Sequence, residues 1–234
     1  MINEYVEIAN YYDNLLTSGY FDFDSLSNTL YNLLGARRKV LDIGIGTGLL
    51  TEKMLSLANY QIVGVDFSPR MLEIAKERLI SSDVKLICED ITEFETEEKF
   101  EAIVSTGGVI CIVKEDEEYK IYSHITEPEK SKQLLKKLHI QLDEGGFLAL
   151  GIQGSHTNYK KEIKDEIFYE QKIKKEGNYV DKWYVFSEAN GEIKSEQFCR
   201  FYVFDGRQTT QALIDAGFKQ GFQIIDDKFL VSYK

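Results

Sequence analysis

The sequence predicts an α/β fold: a mostly parallel sheet with helices on both faces, closed by an antiparallel pair of strands. Short apolar runs at Lys39 to Ile43, Gln61 to Val65, Val84 to Cys88, Phe100 to Val104 and Phe147 to Ile152 alternate with segments whose apolar residues recur at helical spacing. The first run stops at a cluster of glycines and is followed at once by a helical pattern, the opening of a βαβ unit. Near the end of the chain, Phe222 to Ile225 and Phe229 to Tyr233 flank the tight Asp226-Asp227 turn and complete seven strands.

The elements follow in order. Residues 1–35 mix Tyr5, Tyr11, Tyr12, Tyr20, Phe21 and Phe23 with Leu30, Leu33 and Leu34 at helical spacing, which predicts helices that cap the rest. Leu49 to Ala58 carries Leu50, Met54, Leu57 and Ala58 on one face. After the second strand and Asp66, Ser68 as N-cap and Pro69 in the first turn start a helix with Met71, Leu72, Ala75 and Leu79 inward. Ser131 to Leu142 repeats an apolar face through Leu134, Leu135 and Leu138 before Gly145-Gly146 turns into the fifth strand. From Phe168 to Phe204 the period becomes two, with turns at Gly177-Asn178 and Asn190-Gly191, so antiparallel hairpins are expected. A helix around Thr209 to Ala216, closed by Gly217, precedes the final pair.

A chain of 234 residues with 43% hydrophobic content fits one enlarged domain with a sizeable core. The expected parts are a helical lid over 1–35, a core over 36–152, an antiparallel cover over 168–204 and a closing helix and hairpin over 205–234. Twenty-eight basic against 39 acidic side chains leave a net charge of −11, which repels a phosphate backbone, so nucleic acid is not expected as a partner. Cys88, Cys111 and Cys199 are odd in number and share no metal-ligand spacing, so neither a disulfide framework nor a metal is expected. Met1 to Tyr12 carries Glu4 and Glu7 with no basic region ahead of an apolar stretch, and no run of 18 apolar residues occurs; a soluble, cytoplasmic protein without membrane contact is expected.

The sharpest motif is Asp42-Ile43-Gly44-Ile45-Gly46-Thr47-Gly48. Glycines at a strand end let backbone N–H groups approach a ligand, and the next helix offers its positive end. A dinucleotide fingerprint would need glycine where Leu49 stands, and the acid Asp42 ahead of the glycines is foreign to it. With acids also ending the second strand at Asp66 and following the third at Asp90, the chain from Val40 to Ile152 resembles the class I S-adenosylmethionine-dependent methyltransferases. That resemblance implies a Rossmann-like sheet and S-adenosyl-L-methionine as cofactor. It implies that Gly44 and Gly46 line the methionine portion and that Asp42 anchors the loop and helps orient the ligand amine. Asp66 would accept from both ribose hydroxyls, since a carboxylate offers two acceptor oxygens. Phe67 and Met71 would flank the adenine, Asp90 would take its exocyclic amine, and the Ile91 N–H would meet a ring nitrogen. Ser105 and Thr106 would contact the amino-acid part. Met71 fits a core position equally well, and Ser105-Thr106 a plain turn.

Tyr12-Asp13 followed by Tyr20 resembles the lid of glycine and amino-sugar N-methyltransferases, although Leu16-Thr17-Ser18-Gly19 lacks the basic residue usual there; core aromatics of an amphipathic helix are the alternative. His156, after the fifth strand at the ligand-facing end of the sheet, is the candidate general base, a surface loop residue being its other reading. His139 reads as structural and His124 as part of an acidic loop. The stretch Gly107 to Lys130, with the charges Glu115 to Glu118, and the hairpins with Trp183 and Tyr184 are candidates to roof the acceptor pocket or pair subunits in a homodimer. No Asn-Pro-Pro-Tyr motif and no metal triad is present, so the expected reaction is methyl transfer to an amine, or less readily a hydroxyl, of a small molecule. A peptide amine methyltransferase, a catalytically silent S-adenosylmethionine binder and an NAD-dependent oxidoreductase are the alternatives.

Overall fold

The computed structural model describes residue 5 and residues 7–80, 82–164 and 166–234, except the side chain of Gln220. The chain begins with α1 (Ala9–Leu15), a π-helical turn at Leu16–Tyr20 and α2 (Phe23–Leu34), where the Asp22 carboxylate accepts from the Ser25 N–H at 2.9 Å and starts the helix. It continues through β1 (Lys39–Ile43), α3 (Leu49–Leu57), β2 (Gln61–Asp66), α4 (Pro69–Arg78), β3 (Lys85–Cys88) and β4 (Phe100–Ser105). Next come β5 (Ile110–Glu115), β6 (Glu118–Ser123), α5 (Pro128–Gln141), β7 (Leu142–Gln153) and β8 (Tyr159–Glu162). The hairpin strands β9 (Phe168–Glu176), β10 (Tyr179–Ser187) and β11 (Ile193–Phe204) precede α6 (Gly206–Asp215), β12 (Lys219–Ile225) and β13 (Phe229–Tyr233).

The central sheet runs β3-β2-β1-β4-β7 in parallel, then β13 and β12 in antiparallel, giving the seven strands expected. Side chains alternate across it. Leu41, Ile43, Ile103, Leu148 and Leu150 pack with Leu134, Leu138 and Leu213 of α5 and α6, while Val40, Val104 and Ala149 pack with Leu30, Leu34 and Met54 of α2 and α3. The far end of β7 leaves the central sheet and pairs with β5 through Ile152 and Ile112, so a second sheet, β5-β6-β11-β10-β9-β8, grows from the same strand. Its inward face, with Tyr169, Tyr184, Phe186 and Phe201, packs on Ile8 and Leu15 beside and within α1.

Three local expectations change. The Gly107 to Lys130 stretch is a hairpin, β5–β6, whose turn residues Asp116 and Glu117 take φ of 51° and 62°. Its Glu115 is buried and ion-paired to Lys175 and Lys120, not part of a solvated acidic loop. The last helix starts at Gly206, ahead of Thr209, because Asp205 and Gln208 form a reciprocal capping box. The β8 strand joins the cover region ahead of Phe168. No described helix is long and apolar enough to cross a membrane.

Candidate functional site

Parallel strands leave their C-terminal ends, and the loops after them, on one edge of the sheet. There the loop after β1 meets the loop after β4. Gly44 has φ 72°, and a Cβ on it would stand 2.6 Å from the Gly108 Cα; a Cβ on Gly108 would stand 2.5 Å from the Ile43 carbonyl oxygen. The two glycines are therefore required by each other. At Gly46, φ 59°, a Cβ would come no nearer than 4.0 Å, to the Gly44 carbonyl oxygen.

A cleft of about 370 Å³ opens along this edge. The glycine loop, the ends of β2 and β4, the loop after β3 and the N-terminal segment line it. Asp42, Gly44, Gly46, Asp66, Phe67, Met71, Asp90, Ile91, Thr106 and Tyr12 all lie on its wall. Ser105 does not: it is fully buried and its hydroxyl donates to the Ile110 carbonyl at 2.8 Å, which holds β4 to the start of β5. Tyr20 and His156 line a separate narrow inner chamber of about 10 Å³, which shares Tyr5, Tyr12, Leu16, Gly107 and His124 with the cleft.

Asp66 ties the site together. One carboxylate oxygen accepts from the Gly46 N–H and the other from the Ser68 N–H, both at 2.9 Å, so the end of β2 holds the glycine loop in place. Each oxygen keeps a lone pair for a further donor. Burial raises its proton affinity, and the two backbone donors pull it back. Asp42 lies deeper and accepts from the Thr51 hydroxyl at 2.7 Å; burial pushes its carboxyl up to about 6. Asp90 is exposed and accepts from the N–H and hydroxyl of Thr92, both at 2.8 Å. Phe67 is 43% exposed at the rim, whereas Met71 is buried in the wall, so only the former is free to cover a flat ring from outside.

The wall carries Asp42, Asp66, Glu89, Asp90 and Glu127 against one lysine, Lys130, itself paired to Glu127 at 2.6 Å. Such a wall favours a cationic ligand rich in hydroxyl and amine donors and repels a pyrophosphate. Two buried hydroxyls on it, Ser68 Oγ and Thr106 Oγ1, have no hydrogen-bond partner among the described residues, the usual mark of a group that awaits a ligand or water.

The N-terminal segment closes the cleft through a latch that sequence reasoning missed. The Asp13 carboxylate accepts from the Thr47 hydroxyl at 2.5 Å and from Arg78 at 2.6 Å, and Arg78 also donates to the Thr47 carbonyl. One acid on α1 is thereby fixed to the glycine loop and to the last turn of α4. The sequence signal was its place beside Tyr12.

The inner chamber is aromatic and neutral. Tyr20 Oη donates to Gln153 Oε1 at 3.2 Å, and His156 Nε2 meets the same oxygen at 3.1 Å. His156 packs against Tyr122 and Phe201, and burial with the nearby Lys182 and Lys175 holds its ring well below the ordinary imidazole range. It is a neutral buried residue, not a surface loop residue. His124, just past β6, is a second histidine on both walls, in contact with Tyr5 at 3.2 Å and lowered to about 3 by burial and Lys182. Tyr184 lines the chamber. Trp183, its neighbour in β10, points to the opposite face of the sheet and pairs with Phe198 there.

Residues 40–146 match a family model described as a methyltransferase domain. The chain is 35% identical over 87 residues to a malonyl-[acyl-carrier protein] O-methyltransferase of Acetivibrio thermocellus, covering 35% of this chain and 31% of that protein. It is 29% identical over 143 residues to malonyl-[acyl-carrier protein] O-methyltransferase 1 of Ilyobacter polytropus, covering 58% and 47%. The matches thus span less than half the length of these relatives. The S-adenosylmethionine-bound structure of an amino pentose methyltransferase of Micromonospora echinaspora superposes with a TM-score of 0.70 at 15% identity, covering 95% of each chain. Residues 40–146 are thus similar in sequence to a methyltransferase domain, and over nearly its whole length the chain shares the fold of the amino pentose methyltransferase.

Proposed function

We propose that the protein is an S-adenosylmethionine-dependent methyltransferase that methylates an amine of a small molecule. The observation that carries the cofactor reading is the acid-walled glycine cleft: five carboxylates, one lysine, a glycine cradle and two unpartnered buried hydroxyls. A sulfonium cation with an amino group and a ribose diol matches that donor and charge pattern; a dinucleotide does not. When bound, the cofactor supplies an electrophilic methyl group. Asp66 supplies acceptors for two adjacent hydroxyls, Asp90 for an exocyclic amine, and Phe67 a face for a flat ring, with Met71 in the wall below the opening. Asp42 and Thr106 stand at the end where an amino acid group fits. No nucleophilic side chain is required, because aligning donor and acceptor and excluding water accounts for most of such catalysis.

A small acceptor is supported by the latched N-terminal segment, which leaves the cleft and the narrow chamber that Tyr12 also lines open to ligands. The amino pentose methyltransferase shares the whole fold and supports an amine acceptor. A second reading, esterification of a carboxylate, is favoured by the sequence similarity to malonyl-[acyl-carrier protein] O-methyltransferases. The test is formation of S-adenosylhomocysteine, followed by mass spectrometry, over a panel of amines, alcohols, carboxylates and malonyl thioesters. Product with amines supports the proposal. Product with carboxylates alone replaces it with the second reading, and tight cofactor binding without turnover over the panel identifies a silent binder.

A further inference from the structure

Behind the inner chamber lies a charged side chain with no opposite charge. Lys182 occupies an inward position of β10 between Val180 and Tyr184 and is fully buried. Its Nζ is 3.1 Å from Tyr20 Oη and 4.4 Å from the centroid of the Tyr184 ring. Among the described residues no carboxylate pairs with it. A buried, unpaired ammonium is costly by several kcal/mol, so the neutral form gains ground. The other titratable groups that face it are Cys111 of β5, Cys199 of β11, Tyr20, Tyr184, His124 and His156.

Burial brings Lys182 down to about 7. The same burial pushes both thiols up to about 12, raises the tyrosines, and takes both histidines too low to hold a proton at neutral pH. Within this cluster Lys182 is the group suited to gain and lose a proton near neutrality. It is also connected: Lys182 touches Tyr20, and Tyr20 lines the chamber beside Gln153 and His156.

We propose that Lys182, acting through the Tyr20 hydroxyl, takes the proton that an amine acceptor must release before it can be methylated. This inference rests on the amine reading above. An ammonium has no lone pair and cannot attack. In the proposed step the acceptor N–H bond breaks and its electron pair stays on nitrogen. The proton passes to Tyr20 Oη while the Tyr20 O–H, turned from Gln153 toward the lone pair of neutral Lys182, gives its proton to Nζ. The result is a neutral amine, an intact tyrosine and an ammonium at Lys182, so charge and protons balance. Lys182 is a positioning residue in this scheme, because it reaches the acceptor only through Tyr20. His156 then acts as the neutral partner that orients Gln153, a role different from the general base expected from the sequence.

The test compares S-adenosylhomocysteine with sinefungin, the cofactor analogue whose amine stands where the transferable methyl would be. In an in-line displacement that amine faces the acceptor position. Binding is followed by calorimetry at pH 6 in two buffers of different ionisation enthalpy, which counts protons released. Sinefungin is expected to release about one proton more than S-adenosylhomocysteine, since two cations would otherwise stand close together in buried surroundings, and Lys182→Met is expected to abolish the difference. Should that variant not fold, the wild type still decides: the ratio of sinefungin to S-adenosylhomocysteine affinity should rise about tenfold per pH unit up to pH 7 and then level off. Equal proton release for the two ligands, a flat ratio, or a folded Lys182→Met that behaves as wild type overturns the proposal. If S-adenosylhomocysteine itself does not bind, the cofactor reading falls first and this inference with it.

Discussion

Replacing Asp42 by asparagine should stabilise the ligand-free protein, and more so at high pH. Asp42 is buried with one hydrogen bond, from Thr51, and its carboxyl is raised from 3.8 to about 6. A raised folded value means that the fold prefers the protonated form. Stability from this group is therefore full below about pH 3.8 and is lost as pH rises through about 6. Linkage gives a cost of about 1.5 kcal/mol at pH 5 and about 3 kcal/mol at pH 8, where the loss is complete. Asparagine carries no charge, and its side-chain oxygen still accepts from Thr51. Urea unfolding of both proteins at pH 5 and pH 8 should show Asp42→Asn more stable at both, with the gap wider by about 1.5 kcal/mol at pH 8. Parallel pH dependences would refute the reasoning, because they would mean that Asp42 titrates normally in the fold. The same substitution should weaken S-adenosylhomocysteine binding, as the contact proposed for Asp42 requires.

Three other outcomes follow from the geometry. Asp66→Ala removes the acceptor offered to two hydroxyls and the tether on Gly46, and should weaken S-adenosylhomocysteine by roughly 30-fold to 1,000-fold, at about 1–2 kcal/mol for each lost charged hydrogen bond; calorimetry showing less than a threefold change would remove its role. Gly44→Ala puts a methyl group 2.6 Å from the Gly108 Cα at a left-handed φ, and should cost about 1–3 kcal/mol, a fall in Tm of about 3–10 °C; an unchanged melting temperature would show that the two loops do not interlock. Arg78→Met cuts the latch on Asp13, and should raise hydrogen exchange in Ala9–Leu15 by about tenfold while β1 and β4 keep their protection; equal exchange in α1 would show that packing alone holds it.

The parallel core was legible because its strands are short apolar runs and its turns carry glycines or acids at strand ends, as at Gly44 to Gly48, Asp66 and Asp90. The β5–β6 hairpin was not, because Asp116 and Glu117 take left-handed backbone angles that usually belong to glycine or asparagine, so the charges read as a loop. Lys182 is hidden for a related reason: lysine in a strand reads as solvent-facing, although the alternation Val180, Lys182, Tyr184, Phe186 puts it on the inward face. The place of Ser105 at a strand end points to the ligand, but strand alternation turns it inward to the Ile110 carbonyl and leaves the next residue, Thr106, facing the cleft. Separation in sequence hid the latch, since Asp13, Thr47 and Arg78 meet only when α1 lies across the glycine loop.

The most direct measurement is calorimetric titration of the purified protein with S-adenosylmethionine and S-adenosylhomocysteine, with NAD as control. Micromolar binding of both sulfur ligands and none of NAD is the predicted result, since an acid-walled cleft accepts a sulfonium and an amine and repels a pyrophosphate. Binding of NAD with neither sulfur ligand would contradict the account and return the glycine loop to the dinucleotide class.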